Sequence, residues 1–213
     1  MNSGGELKAE LRVVSRSDVG RVRARNEDAL AVLADWGWLV LSDGMGGCRG
    51  GDVASRLAVD VVTECSLRLG GTAREVSSAL AVLERAIQEA NTLILRTAAD
   101  QSELTGMGAT LVAAIFLPGR VVVGHVGDSR LYRLRRGELL QLTRDHTLLQ
   151  EQLERGIITR EGARLSPVRG MLTRALGVDD VVQPDLASYP ALPGDAYLMC
   201  SDGVTDMISD VEL

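Results

Sequence analysis

The chain has 213 residues, a formal net charge of −6 and a hydrophobic content of 46%. This length is enough to bury the core of one domain without disulfides or structural zinc. Its apolar runs are too short to span a membrane, and its negative charge disfavours nonspecific binding to nucleic acid. Cys48, Cys65 and Cys200 show no CxxC spacing, which is typical of a reducing compartment. We therefore expect a soluble, cytoplasmic monomer that binds neither membranes nor nucleic acid.

The N-terminal half of the chain predicts strands followed by two helices. Residues 1–10 are polar and are expected to be flexible, and a strand is expected from Leu11, followed by a charged turn and a hairpin over residues 29–34 and 38–42. Apolar residues at helical spacing predict a helix over about residues 51–69. Thr72-Ala73-Arg74-Glu75 has the form of a capping box, which places the start of a second helix at Thr72 and its end near Thr97.

The period of the apolar residues then changes to that of strands. Turns at Pro118-Gly119 and Arg136-Gly137 predict antiparallel hairpins. The expected strands cover residues 109–117, 120–126, 130–135, 139–142, 181–188 and 196–201, and residues 146–180 form an excursion from the sheet. Two helices followed by runs of strands indicate an α+β layered domain.

The last residues carry a helix start signal. Ser209-Asp210-Val211-Glu212 is a second capping-box pattern, and the sequence ends one residue later. A helix with a cap and no body buries nothing, so the pattern favours a truncated chain. The alternative is a frayed polar tail.

Three apolar runs end in an aspartate flanked by small residues. Asp43, Asp128 and Asp202 each follow such a run, in Ser42-Asp43-Gly44, Gly127-Asp128-Ser129 and Ser201-Asp202-Gly203. Short apolar runs bounded by turn residues are typical of buried strands. Carboxylates can crowd together only around a positive charge, and oxygen ligands suit Mg²⁺, Mn²⁺ or Ca²⁺. The sequence predicts a hard-metal site at strand ends.

The other polar clusters leave alternatives open. Glu27 and Asp28 lie beside arginines just before a strand, where they either complete the metal site or form a surface salt-bridge cluster. An arginine such as Arg23 presents a planar fork that suits phosphate oxygens. We expect His125, in the middle of a strand, to be a satisfied core residue and His146, at the start of a loop, to meet solvent.

A series of short motifs runs from about residue 11 to the C-terminus in the order of one protein family. The motifs are Ser17-Asp18-Val19-Gly20 with Arg23, Asn26-Glu27-Asp28, Asp43-Gly44-Met45-Gly46-Gly47, Thr105-Gly106-Met107-Gly108-Ala109-Thr110, Val126-Gly127-Asp128-Ser129-Arg130-Leu131-Tyr132, Leu172-Thr173-Arg174-Ala175-Leu176-Gly177 and Cys200-Ser201-Asp202-Gly203-Val204-Thr205-Asp206. These motifs closely resemble successive motifs of the metal-dependent type 2C (PPM) serine/threonine protein phosphatases and are most similar to those of the compact bacterial branch. The resemblance implies an antiparallel β-sandwich flanked by helix pairs in four αββα layers, with residues 11–213 as the catalytic domain and residues 146–180 as a flap.

The resemblance also implies a role for each site residue. Asp43 would bridge two Mn²⁺ or Mg²⁺ ions, the Gly44 carbonyl would bind one of them, and Asp202 would bind the other. Asp128 would join Asp202 at a third ion. The remaining expected site residues are Glu27 and Asp28, which would hold metal-bound waters, and Arg23, which would bind the substrate phosphate.

The implied reaction is hydrolysis of phosphoserine and phosphothreonine on proteins by a metal-activated hydroxide. The implied partners are phosphoproteins, including a serine/threonine kinase or its substrates. The family ends with an Asp-Asn pair whose aspartate is a direct metal ligand, and this chain stops before it, so we expect impaired activity. The alternatives are a non-catalytic phosphoprotein-binding or regulatory module with the same fold and a metal-dependent phosphohydrolase that acts on a small molecule.

Overall fold

A computed structural model describes residues 11–45, 50–68, 75–163 and 166–213. The expected flexible residues 1–10, the glycine-rich turn from Gly46 to Cys48, and residues 72–74 of the expected capping box lie outside the described residues. The strands are β1 (Asp28–Leu33), β2 (Trp38–Met45), β3 (Gly108–Ala109), β4 (Leu111–Leu117), β5 (Arg120–Val126), β6 (Arg130–Arg135), β7 (Glu138–Gln141), β8 (Asp185–Pro190) and β9 (Ala196–Cys200). The helices are α1 (Gly51–Arg68), α2 (Val76–Asp100), α3 (Leu148–Glu154), α4 (Arg160–Ala163) and α5 (Asp202–Thr205).

The larger of two antiparallel sheets has the strand order β1-β2-β4-β5-β8, with β3 paired to the end of β2. Its strands β4 and β5 are buried along most of their length. Strands covered on both faces need apolar residues at successive positions, which explains their unbroken apolar runs. The smaller sheet has the order β7-β6-β9.

Helices α1 and α2 cover one face of the large sheet. Leu83, Ile87 and Ile94 of α2 are fully buried there. A Cβ atom added to Gly124 of β5 would lie 3.2 Å from Ile87 Cδ1, so helix and strand are in close contact. This layer contains the larger of the two hydrophobic cores.

The small sheet covers the other face of the large one. Val112 of β4 and Val123 of β5 pack in the same buried cluster as Leu131 of β6. Phe116 and Tyr197 meet edge to face between the sheets, with ring centroids 5.0 Å apart. These contacts confirm the predicted α+β class and antiparallel sandwich, and the described residues form three of the four implied layers: helices, large sheet and small sheet.

Three predicted boundaries are wrong. Residues 11–27 form no strand; they are mostly exposed, and none of the described strands pairs with them. The second helix begins at Val76 and not at Thr72. Glu75 has extended backbone angles and is the N-cap, so it cannot be the residue at helix position N3 of a capping box. The strand expected at residues 181–188 begins at Asp185, after Pro184, which has no N–H to donate to a ladder.

Near residue 209, one of the two hydrogen bonds of the expected capping box is present, because the Ser209 hydroxyl donates to Glu212 and does not accept from its N–H. The Glu212 carboxylate accepts from the Ser209 N–H at 2.9 Å and from its hydroxyl at 2.6 Å. In the part of the chain that the structure describes, none of the helices has the length and apolarity needed to cross a membrane.

The packing of α2 predicts that shortening a side chain costs much more free energy of unfolding on its buried face than on its exposed face. Leu83→Ala leaves a cavity in the main core, and we expect a loss of about 2–5 kcal/mol in the free energy of unfolding. Leu93→Ala, on the same helix, removes a side chain that is 37% exposed and should cost less than about 1 kcal/mol. Urea denaturation of both variants measures the difference. Equal losses would contradict this packing.

Candidate metal centre

The ends of β1 and β2 place two carboxylates side by side. Asp28 and Asp43 are directly opposite each other in the antiparallel ladder. Asp202, at the start of α5, reaches the same place from the small sheet, and both Asp28 and Asp202 lie within hydrogen-bonding reach of the Asp43 carboxyl group. The Ser201 hydroxyl donates to Asp28 Oδ2 at 2.9 Å and so links the two sheets at the cluster.

Glycines let the start of α1 approach the end of β2. A Cβ atom on Gly44 would lie 2.0 Å from the Gly51 carbonyl oxygen, and one on Gly51 would lie 2.9 Å from Glu27 Oε2. The Gly44 N–H also donates to the Glu27 carbonyl at 3.1 Å. The Glu27 carboxylate therefore lies against the positive N-terminal end of a helix. Arg23 Nη1 is 3.6 Å from Glu27 Oε2, and its side chain is 65% exposed.

Asp128 lies in the turn that follows β5. The turn depends on Gly127, whose φ of 99° is in the region that favours glycine. A Cβ atom there would also lie 2.6 Å from Thr110 Cγ2. The predicted position of Asp43, Asp128 and Asp202 at strand ends is confirmed.

Crowding and burial raise the pKa values of two of these carboxyl groups. Burial, together with the charges of Asp28 and Asp202, raises the pKa of Asp43 far above its ordinary value. Burial, with the charges of Asp202 and Asp145, raises the pKa of Asp128 to about 7. A bound divalent cation would offset the same repulsion, and the donors are all oxygen atoms. The residues present therefore fit Mn²⁺ or Mg²⁺.

The cluster faces a cleft of about 470 Å³. The cleft brings together six of the seven predicted site residues: Arg23, Glu27, Asp43, Gly44, Asp128 and Asp202. Asp28 does not line the cleft and lies between Asp43 and Ser201. Other residues that line the cleft come from the excursion at residues 146–180. They are Gly170, Leu172, Thr173, Arg174, Ala175 and Val178.

Thr110 is a site residue to which the sequence assigned no role. Its hydroxyl accepts from the Asp43 N–H at 3.0 Å and lies 2.7 Å from the Ser129 hydroxyl. It thus joins the end of β2 to the turn that carries Asp128. The available signal was a single polar residue between the apolar positions Ala109 and Leu111.

The two histidines lie behind the cleft, stacked with ring centroids 4.6 Å apart. His125 is buried and its Nε2 is 2.8 Å from the Arg144 carbonyl, which confirms a satisfied core histidine. The expectation that His146 meets solvent is wrong. Its side chain is fully buried, and its Nδ1 accepts from the Gly127 N–H at 3.1 Å, which satisfies a polar atom away from solvent.

Comparisons with known proteins agree with this geometry. The serine/threonine phosphatase stp of Listeria welshimeri is 41% identical over 203 residues, which cover 93% of this chain and 79% of that protein. The serine/threonine protein phosphatase PstP of Mycobacterium tuberculosis is 42% identical over 200 residues, which cover 94% of this chain and 37% of PstP. The crystal structure of the catalytic domain of PstP in complex with two manganese ions superposes with a TM-score of 0.80 at 40% identity, covering 92% of this chain and 79% of that one.

The family model described as Protein phosphatase 2C matches residues 20–212. That match includes all seven predicted site residues and both sheets. This chain belongs to the protein phosphatase 2C family.

Proposed function

We propose that this protein hydrolyses phosphoserine and phosphothreonine esters on proteins, with Mn²⁺ or Mg²⁺ bound in the aspartate cleft. The observation that carries the proposal is the convergence of Asp43, Asp128 and Asp202 on one cleft that also contains Arg23. The relatives are named serine/threonine phosphatases, which supports the substrate class.

The proposed ligands are Asp43 as the bridge between two ions, the Gly44 carbonyl on one ion and Asp202 on the other. Asp128 and Asp202 would hold a third ion, as the resemblance implies. Bound cations of this kind activate water as a nucleophile and offset the charge of a phosphoryl group. The two manganese ions in the PstP catalytic domain support this assignment.

Three further residues act around the ions. Glu27 and Asp28 would orient water molecules; Asp28 is held for this by the Ser201 hydroxyl and Glu27 by the start of α1. Arg23 would bind the substrate phosphate. Its guanidinium is exposed at the cleft and only loosely tied to Glu27, so it can turn its planar fork toward phosphate oxygens.

Residues 146–180 are proposed to act as a flap beside the active site. Residues 170 and 172–175 of this segment line the cleft. We also propose that the protein is a cytoplasmic monomer and that its partners are phosphoproteins, including a serine/threonine kinase or its substrates.

A metal-free phosphoprotein-binding module is the less favoured function. Such a module would have to admit a phosphate dianion to a cleft lined by Glu27, Asp43, Asp128 and Asp202. Crowding of negative charge already raises the pKa values of Asp43 and Asp128 there, and a phosphate dianion would add to the repulsion, which only cations in the cleft would reverse. Calorimetric binding of a phosphopeptide in excess EDTA would favour the module.

The 213 residues contain no Asp-Asn pair. The resemblance gives the aspartate of that pair a direct place on the metal centre. We therefore expect appending a family-like C-terminal segment with an Asp-Asn pair to raise Mn²⁺-dependent phosphate release from a phosphopeptide. A segment with Ala-Asn is the matched control. Equal, strong activity in all three proteins would refute a role of the Asp-Asn pair in this metal centre.

Asp43→Asn in the extended protein should lower turnover about a hundredfold or more, since even residues that only support metal ligands are worth 10- to 100-fold. Asp60→Asn, an exposed change on α1, should leave turnover unaltered. Phosphate release from phosphoserine, phosphothreonine and phosphotyrosine peptides, nucleotides and sugar phosphates measures activity and substrate class. Unaltered turnover in Asp43→Asn would refute the bridging role, and a preference for nucleotides or sugar phosphates would identify a small-molecule enzyme.

The raised pKa of Asp43 predicts how stability depends on pH without metal. The folded state holds the Asp43 proton more tightly than the unfolded state, so this contribution to stability is complete near pH 4 and is lost as pH rises toward the folded pKa. In EDTA at pH 8, Asp43→Asn should therefore unfold at a higher temperature than the wild type, and the two should converge near pH 4.

Mn²⁺ should reverse that order at pH 8. Binding at a hundredfold excess over Kd stabilises the wild type by about 2.7 kcal/mol, and the variant should gain much less. Thermal melts with and without Mn²⁺ measure both effects, and Asp60→Asn serves as the control. A wild type that is more stable than Asp43→Asn in EDTA at pH 8 would contradict the crowding of the carboxylates.

A further inference from the structure

Arg174 is a second arginine in the wall of the cleft, and one edge of its guanidinium is already occupied. Its Nη1 donates to Asp185 Oδ1 at 2.7 Å and to the Gln183 carbonyl at 3.0 Å. Within the described residues its Nε and Nη2 have no hydrogen-bond partner, and the side chain is 30% exposed. The contacts therefore fix the direction of the guanidinium and leave its other donors for a ligand.

The backbone that carries Arg174 is tied to the core. Leu176 and Ala109 exchange hydrogen bonds of 2.8 and 3.1 Å, which join the segment to β3. The buried side chain of Asn91 on α2 accepts from the Gly177 N–H at 2.7 Å and donates to the Asp179 carbonyl at 2.8 Å. The position of Arg174 is therefore set by the scaffold, as a binding residue requires.

Asp185 in turn faces His146. The Nδ1 of His146 accepts from the Gly127 N–H, so the single proton of the neutral ring is on Nε2. Burial, together with His125 and Arg174, lowers the pKa of His146 to about 4, and the ring is neutral at pH 7. Its Nε2 is buried without an aligned hydrogen-bond partner, 3.3 Å from Asp185 Oδ2. The histidine thus presents an N–H dipole to the carboxylate that holds Arg174.

The same three residues have the composition of a metal site, since potential ligand atoms of His125, His146 and Asp185 lie within 4.8 Å of one another. The hydrogen bonds argue against that role. A neutral His146 whose Nδ1 lone pair faces an N–H has no lone pair on Nε2 for a cation. The Nε2 of His125 is engaged by the Arg144 carbonyl. The geometry is that of a chain of positioning contacts from the turn at Gly127 to Arg174.

We propose that Arg174 binds an oxyanion of the substrate and that Asp185 and His146 position it. The oxyanion is either a phosphoryl oxygen or the carboxylate of an acidic residue beside the phosphorylated one, because a guanidinium recognises both. The charges that line the cleft explain why an anionic substrate needs the Arg174 guanidinium. Its other lining side chains with charge are four carboxylates and Arg23, which is shared with Glu27. The inference rests on the proposed function for the identity of the substrate.

Binding of non-hydrolysable phosphonate ligands tests the proposal without depending on turnover. Fluorescence anisotropy with Mn²⁺ present gives Kd for a phosphonate peptide with neutral flanking residues and for one with acidic flanking residues, and competition gives Kd for phenylphosphonate. Arg174→Ala should raise Kd about tenfold or more, as expected for the loss of a charged hydrogen bond. Arg174→Lys should recover part of the loss. Arg85→Ala, which removes an exposed arginine from α2, should change nothing.

The three ligands identify the oxyanion. An equal loss for all three assigns Arg174 to the phosphoryl group, and a loss confined to the acidic peptide assigns it to the flanking carboxylate. Unchanged Kd for all three ligands in Arg174→Ala would overturn the proposal. If that variant melts early, Arg174→Lys and Asp185→Asn, which preserve the size of their side chains, decide in its place.

A double-mutant cycle tests positioning. Asp185→Asn should weaken binding in the wild type but have little further effect in Arg174→Ala, because it acts through the arginine. Additive losses would mean that Asp185 only supports the fold, and would overturn its positioning role. Phosphate release by the protein extended with the Asp-Asn segment is measured in parallel: its absence refutes the proposed function, whereas intact release with unchanged Kd in the variants refutes only the role of Arg174.

Discussion

The repulsion between carboxylates at the ends of β1, β2 and β9 is the constraint on which the rest of the structure depends. Asp28 and Asp43 are directly opposite each other in a ladder, where like charges destabilise a sheet. Asp202 joins them from the second sheet. A folded chain can hold these groups together only by protonating some of them or by binding cations. In both cases the surrounding structure must keep the carboxyl groups at fixed distances from one another.

The scaffold meets this requirement with contacts that leave little room for movement. Gly44 and Gly51 bring β2 and α1 so close together that no side chain would fit at either position. Thr110 connects the backbone of Asp43 to the turn that carries Asp128. Because β4 lies between the two hydrophobic cores, the turns at its end are fixed from both sides of the sheet. The site is therefore rigid where its charges are closest.

The segment at residues 170–178 extends this rigidity to one wall of the cleft. It is hydrogen-bonded to β3 and to Asn91 of α2, so this wall of the cleft is attached to the same sheet and helix layer that support the metal cluster. Arg174 projects from that wall under the control of Asp185. The contacts at residues 174–179 therefore fix this wall relative to the carboxylates.

The sequence alone predicted the strand ends that carry Asp43, Asp128 and Asp202, the hairpin of β1 and β2, the first helix and the antiparallel sandwich. These features leave local marks, because apolar period, turn residues and glycines act over a few neighbours. The order of whole motifs added the family and the proposed roles of Arg23, Glu27 and Asp28, which no local pattern separates from a surface ion-pair cluster.

Tertiary structure alone decided which residues meet across long stretches of chain. Ser201 and Asp28 are 173 residues apart, and Arg174 reaches Asp185 through a return of the chain that its sequence does not reveal. His146 was expected in solvent because it stands at the start of a loop, yet it is buried and accepts a hydrogen bond from a residue 19 positions away. Periodicity reports which face of an element is buried. The partners of buried polar groups depend on how layers pack, and for that reason Thr110, His146 and Arg174 acquired their roles only in the folded protein.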